Sequence, residues 1–265
     1  MPASPPVDHE RLVQLLREVP LWRTVQCVAT TGSTNADLAE LARTSPADGM
    51  VLVSEEQTAG RGRFERRWET PAGASVAFSL LLRPTRPARD WGWLSLLAGM
   101  AVSTGIERAT GAERGRVELK WPNDVLIDGK KLCGILSERV ESSQGPAAAV
   151  VGVGINISLD EAELPVPTAT SLRLAGLEAD KSEVLAAVFT EFARLYELWE
   201  RDGQVHDEYL RRCASIGRPL RVMIDEQTNV LGTGESVDEF GRLVVRTPSG
   251  LQAFSAGDVF HLRLQ

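Results

Sequence analysis

VLIDGKKLCGILSERV, residues 125–140, places Asp128-Gly129 between two apolar runs. That dipeptide supplies the positive φ angles a two-residue hairpin turn needs, so the segment reads as two antiparallel strands. Immediately upstream, VELK (117–120) is strand-like and is broken at Pro122, which disfavours helix for Trp121 and presents Asn123 and Asp124 from a fixed turn. Downstream, AAAVVGVGINISL (147–159) is a buried strand ending in glycines and an asparagine. Three neighbouring strands joined by short turns require an antiparallel sheet.

Working outward, RTVQCVAT (23–30), MVLVSEEQ (50–57) and SVAFSLLLR (75–83) supply further strands, and amphipathic helices fill the spaces between. Helical spacing covers 8–18, the segment opened by GSTNADLAELAR at 32–43, about 90–109, and the long run KSEVLAAVFTEFARLYELWERDG at 181–203 with a continuation through Leu210. Ser33 or Thr34 has the chemistry of an N-cap for the second of these. After Ser215 the texture changes to five short strands separated by glycine and charged turns, the pattern of a small β-barrel. The expected fold is α+β: a central mixed sheet flanked by helices over residues 1–215, with 1–7 as a disordered lead, then a β-barrel over 216–265.

Composition narrows the function. The chain has 265 residues and a net charge of −7, which disfavours nucleic-acid binding by bulk attraction. No DNA partner is expected, and only about twenty residues precede the first strand, too few for a helix-turn-helix unit. The longest apolar stretch, WGWLSLLAGMAV, is shorter than the roughly 18 residues of a membrane span. Cys27, Cys133 and Cys213 are odd in number and widely spaced, which points to the reducing cytoplasm and gives no metal pair. Three scattered histidines support neither a zinc site nor a Ser-His-Asp triad.

Against this acidic background GRGRFERRW (60–68) gathers four arginines and two glycines into nine positions. Gly60 and Gly62 allow close backbone approach, while Arg61, Arg63, Arg66 and Arg67 carry forks matched to carboxylate and phosphate. A solvated arginine-rich turn has the same composition. The segment lacks the Gly-Lys-Ser/Thr ending of a P-loop and the third glycine of a dinucleotide fingerprint. Asn123 and Asp124 can hold a hydrated Mg²⁺ with a phosphate or ribose oxygen, or simply make an Asx turn. In the hairpin, counting by two groups Lys131 with the apolar Cys133 and Ile135, so Lys131 rather than Lys130 is the candidate for a buried cation facing a ligand. Two lysines guarding a turn read equally well. Gly134 leaves room for a ligand along the strand, Asn156 offers an amide at a strand tip, and Trp68 is either a stacking platform or a cover for the core. Cys133, inside an apolar strand, reads as inert packing.

Taken in order, STN (33–35), EEQTAGRGRFERRWETPAG (55–73), KWPNDV (120–125), GKKLCGILSE (129–138) and GVGIN (152–156) resemble the biotin-protein ligases, over roughly residues 24–265. The resemblance is to the form without an N-terminal DNA-binding domain. It implies a catalytic sheet like that of class II tRNA synthetases and an SH3-like C-terminal barrel. It implies ATP-dependent formation of biotinyl-5′-adenylate with Mg²⁺, and transfer of biotin to a lysine of a biotin carboxyl carrier protein. By this similarity Ser33, Thr34, Asn35, Gln57, Gly60, Arg61, Gly62, Arg63, Lys131 and Gly134 bind biotin. Arg66, Trp68, Lys120, Asn123, Asp124, Lys131 and Asn156 serve the nucleotide, and Asp124 the metal. Lys131, Arg63 and Arg66 carry the chemistry. Two positions depart from the pattern: Glu65 stands where the family loop has glycine, expected to stiffen it and lower its charge, and Thr70 where serine is common.

Overall fold

The computed structural model describes residues 4–64, 66–224 and 227–262, so the Glu65 departure lies outside the described residues. Seven strands form one sheet: β1 (Thr24–Thr31), β2 (Met50–Gln57), β3 (Ser75–Leu82), β4 (Val117–Lys120), β5 (Asp124–Ile127), β6 (Lys130–Val140) and β7 (Ala148–Asn156). Their order is β1-β2-β3-β7-β6-β5-β4. β1 and β2 run parallel and the remaining neighbours antiparallel. The 128–129 hairpin is present, with φ of 51° at Asp128 and 75° at Gly129, the two positive values expected of its turn.

Period-2 alternation explains how the sheet is covered. On one face Val51, Val53, Val76, Phe78, Leu80, Val151, Val153 and Ile155 join the large core. The helices α3 (Trp93–Thr110) and α4 (Lys181–Asp202) supply its other half, with Phe78 and Phe189 rings edge-on at 4.8 Å. α1 (His9–Leu16), capped by Asp8, packs on α4. On the opposite face Met50, Leu52, Leu81, Val140, Ala148 and Val150 are covered by Leu38, Ala39 and Ala42 of α2 (Thr34–Thr44). α2 is short. Beyond its N-terminal turn the same sheet face carries Ser79, Gly134, Gly152 and Gly154 in place of apolar side chains, and a groove remains.

The helix expected from residue 90 begins three residues later, after a 3₁₀ turn at Ala88–Asp90. Gly92 marks the junction because a Cβ there would lie 2.5 Å from the Phe240 carbonyl oxygen. α5 (His206–Leu210) then leads to β8 (Pro219–Met223), β9 (Asn229–Val237), β10 (Leu243–Thr247), β11 (Gly250–Phe254) and β12 (Asp258–His261). These make a five-stranded antiparallel sheet in the order β11-β10-β9-β8-β12. Strand number and antiparallel build are those expected, but the barrel is not closed, since β11 and β12 lie at opposite ends of the order. Two buried indoles fasten this sheet to the larger one: Trp93 donates to the Glu239 carbonyl and Trp121 to that of Gly241, each at 2.9 Å.

Candidate active site

The groove is built on glycine. A Cβ at Gly152 would lie 2.1 Å from Asn35 Oδ1, and one at Gly154 would lie 2.4–2.7 Å from the Trp68 indole. At Gly134 the indole would be 3.0 Å away and Lys131 Nζ 3.4 Å. These glycines let a helix terminus, an aromatic ring and a lysine reach one stretch of backbone. Along β6, Gly134, Leu136 and Glu138 face this side while Cys133 and Ile135 face the core.

Lys131 does not follow the alternation from which its role was expected. Val125 pairs with Cys133 but Leu126 pairs with Lys131, so β6 carries one extra residue, Leu132, opposite β5. Leu132 and Cys133, though adjacent, are both buried in the large core. This bulge turns Lys131 away from the Cys133 face and onto that of Gly134. Counting by two singles out the lysine that lines the pocket, but it is the bulge, not the alternation, that brings it there. Its side chain is also 35% exposed rather than buried, and Nζ lies 2.6 Å from Asp124 Oδ1. Both main-chain groups of Lys131 are fixed by the loop before α4: its N–H donates to the Thr168 carbonyl and its carbonyl accepts from Thr170 N–H, each at 2.8 Å.

At the opposite end of the groove Ser33 caps α2, its hydroxyl accepting from Ala36 N–H. Thr34 N–H donates to Gln57 Oε1 at 2.8 Å, joining the helix start to the end of β2. Ser33, Thr34 and Asn35 are all nearly inaccessible, so this end is polar, uncharged and rigid. The arginine loop folds over the middle. Trp68 N–H donates to the Gly60 carbonyl at 3.0 Å, Gly62 N–H to the Arg66 carbonyl at 2.6 Å, and Arg61 bridges Arg67. Phe64 sits at the tip with φ of 54° and is exposed, its ring 4.8 Å from the Arg63 guanidinium.

Each arginine has a different anchor. Arg61 pairs with Glu138 at 2.7 Å. Arg63 donates to Asn123 Oδ1 at 3.1 Å and to the Gly257 carbonyl at 3.2 Å. Arg66 pairs with Asp258, while Arg67 reaches the exposed Glu69. Burial lowers the Arg63 pKa, against the opposing pull of Asp258 and Asp124. Lys120 lies 3.9 Å from Asp124 and its pKa is lowered, again chiefly by burial. A low-dielectric pocket crowded with cations is electrostatically suited to anionic ligands.

Of the residues named from sequence, Ser33, Thr34, Asn35, Gln57, Arg61, Gly62, Arg63, Arg66, Trp68, Asn123, Asp124, Lys131 and Gly134 line this one pocket. Gly60, Lys120 and Asn156 stand behind it. Gly60 admits the Trp68 carbonyl, 2.3 Å from where a Cβ would be. Lys120 backs Asp124. Asn156 is buried and donates to the carbonyl of Thr170 at 2.9 Å, the residue whose N–H donates to the Lys131 carbonyl. Sequence reasoning missed Asp258, Gly152, Gly154 and the part played by Glu138. The alternate glycines of GVG, on one strand face, carried a legible signal; Asp258, 192 residues from Arg66, carried none.

Residues 27–156 match the Biotin/lipoate A/B protein ligase family and residues 215–262 the Biotin protein ligase C terminal domain. The chain is 39% identical to the biotin–[acetyl-CoA-carboxylase] ligase of Mycobacterium tuberculosis, over 98% of this chain and 97% of that protein. It is 35% identical to the ligase of the same name from Paracoccus denitrificans, over 88% and 98%. A biotin protein ligase from Aquifex aeolicus, solved in complex with biotin and ATP, superposes with a TM-score of 0.77 at 25% identity, covering 91% of this chain and all of that one. The fold is thus that of the biotin and lipoate ligases as a class. Within that class, this chain belongs to the biotin protein ligase family.

Proposed function

We propose that the chain activates biotin with ATP and passes it to a lysine of a biotin carboxyl carrier protein, working in the cytoplasm. The carrying observation is that two distant segments, the arginine loop and β6, bring Arg63, Arg66 and Lys131 to one pocket whose other end, Ser33, Thr34 and Gln57, is polar and uncharged. A ligand with an uncharged polar head and a terminal carboxylate fits that polarity, with its carboxylate among the cations.

In the first step a carboxylate oxygen attacks the α-phosphorus of ATP, the bond to the β-phosphate oxygen breaks, and pyrophosphate leaves. Two anions must approach, and their repulsion at about 4 Å is of order 4 kcal/mol at an effective dielectric near 20. Arg63, Arg66 and Lys131 offset it and hold the charge that spreads over the phosphoryl oxygens. In the second step a neutral amine of the carrier lysine attacks the mixed anhydride, forming the amide and releasing AMP, with proximity supplying much of the rate. The loop, anchored on both flanks of the groove, keeps water from the anhydride.

Among the described residues no cluster of three metal-ligating side chains is present, and Asp124 already faces two lysines. This donor set fits a Mg²⁺ held mainly by phosphates and water, with Asp124 as its protein carboxylate, and such an ion neutralises phosphate charge. Cys133 disfavours acyl transfer through a protein thioester: it is fully buried and burial pushes its thiol strongly up, away from reactive thiolate.

The test is exchange of labelled pyrophosphate into ATP with biotin, lipoate and octanoate side by side. Exchange supported by biotin alone is the expected result. Exchange driven by lipoate or octanoate but not by biotin overturns the assignment.

A further inference from the structure

Glu138 lies at the groove's rim on the same face of β6 as Gly134 and Leu136, and one of its oxygens joins two parts of the site. Oε2 accepts from Arg61 Nη2 at 2.7 Å and from Asn35 Nδ2 at 2.8 Å. Asn35 Nδ2 also faces the Leu136 carbonyl at 3.2 Å. With acceptors on that side, the amide orientation is fixed and Oδ1 must point the other way, where the Ser79 hydroxyl lies at 2.6 Å. Oδ1 only accepts, so Ser79's single proton goes to it. Ser79 Oγ is also 2.7 Å from Thr34 Oγ1. Ser79 offers the same proton to Thr34 Oγ1, and Thr34 donates its own to Gln57 Oε1, 3.1 Å away. One carboxylate oxygen at position 138 thus holds Arg61 of the loop and, through the Asn35 amide, adjoins a buried chain that reaches Thr34 and Gln57.

We infer that Glu138 is a positioning residue for the biotin end of the site, holding the Asn35 amide that anchors Ser79 and, through it, Thr34, while tying Arg61 of the loop to the same frame. This rests on the biotin reading above. It separates position 138 from the nucleotide end, where Arg63, Arg66, Asn123 and Asp124 make no hydrogen bond to this network. Ser79 and Asn35 are buried, so water cannot readily replace a partner lost from this network.

Glu138→Gln keeps the size of the side chain but removes the charge that strengthens its bonds to Arg61 and Asn35. Calorimetry with biotin alone, and initial rates with biotin and ATP varied separately, give the readouts. In Glu138→Gln the biotin Kd and KM rise about tenfold or more, while the KM for ATP, the kcat and the thermal midpoint stay near the parent values. Tryptic cleavage within residues 61–67 becomes faster as Arg61 loses its ion pair. Glu138→Asp, which keeps an acceptor but shortens its reach, gives the same split at smaller size. Unchanged biotin affinity in Glu138→Gln, or equal rises in both KM values, overturns the inference. A parent protein that fails to bind biotin defeats the functional reading instead, so the two failures are distinguishable.

Discussion

Replacing Lys131 by methionine removes the cation while keeping much of the stem's volume, and the structure sets the expected size of the loss. Lys131 Nζ lies 2.6 Å from Asp124 and Lys120 Nζ 3.9 Å from it. Without Lys131, the incoming carboxylate and phosphate lose one positive partner and face Asp124 with only the more distant lysine to screen it. One such charge at about 4 Å is worth of order 4 kcal/mol at an effective dielectric near 20. Lys131 is about one-third exposed, so screening reduces this to about 2–4 kcal/mol, or roughly 30- to 10³-fold in rate. The main-chain bonds of Lys131 to Thr168 and Thr170 do not involve its side chain, so the surrounding loop is expected to stay in place. Biotin-dependent pyrophosphate exchange measures the loss directly. Because Lys131 and Asp124 are in contact, the loss in Lys131→Met/Asp124→Asn should be smaller than the two single losses combined, the coupling expected of such a pair. Exchange in Lys131→Met within about threefold of the parent would refute the electrostatic argument, and fully additive losses in the double variant would remove Asp124 from it.

Two further perturbations test other parts of the structure. Gly154→Ala places a methyl within 2.4–2.7 Å of the Trp68 indole, a rigid ring that must then leave the strand. Ligand affinity is expected to fall at least about tenfold, with about 1–3 kcal/mol of overpacking; calorimetry that finds normal affinity means Trp68 is not seated there when ligand binds. His261 has its pKa lowered to about 4 by burial, then by Lys120 and Arg218, and Nε2 lies 3.0 Å from Ser215 Oγ. The unfolded chain takes up this proton near pH 6.5 and the folded chain only near 4, so stability falls as pH drops through that window and levels off below it. Partial exposure limits the effect to about 1–2 kcal/mol. Urea midpoints at pH 7 and 4.5 should therefore differ more for the parent than for His261→Asn, and equal differences would contradict the shift.

How much of this could be read from sequence depended on whether the causes were local. The hairpin was legible because Asp128-Gly129 must adopt positive φ, and α2 because Ser33 caps the apolar spacing that follows it. The five C-terminal strands were legible from their turns, whereas closure of a barrel depends on how far the sheet coils, which no single segment encodes. Lys131 exposes the limit of counting: the extra residue in β6 is defined only by its pairing with β5, and nothing in KKLCG announces it. The start of α3 was misplaced because the carbonyl that crowds Gly92 belongs to Phe240. Asp258 and the Gly257 carbonyl were invisible for the same reason, their partners lying almost two hundred residues away. Glu138 lay inside a quoted motif, but its bond to Asn35 follows from α2 crossing β6, a tertiary fact.

The grip of Arg63 and Arg66 on the start of β12 has a mechanical side. The small sheet is bolted to the large one at Trp93 and Trp121, and it touches the loop at Gly257 and Asp258. It thus works like a handle attached to a cover. Hydrogen bonds weaken steeply with misalignment, so tilting the handle by a fraction of a bond length would slacken the cover. A protein that leans on the C-terminal sheet therefore pulls on the same guanidinium groups proposed to meet the reacting anions, with no separate relay required.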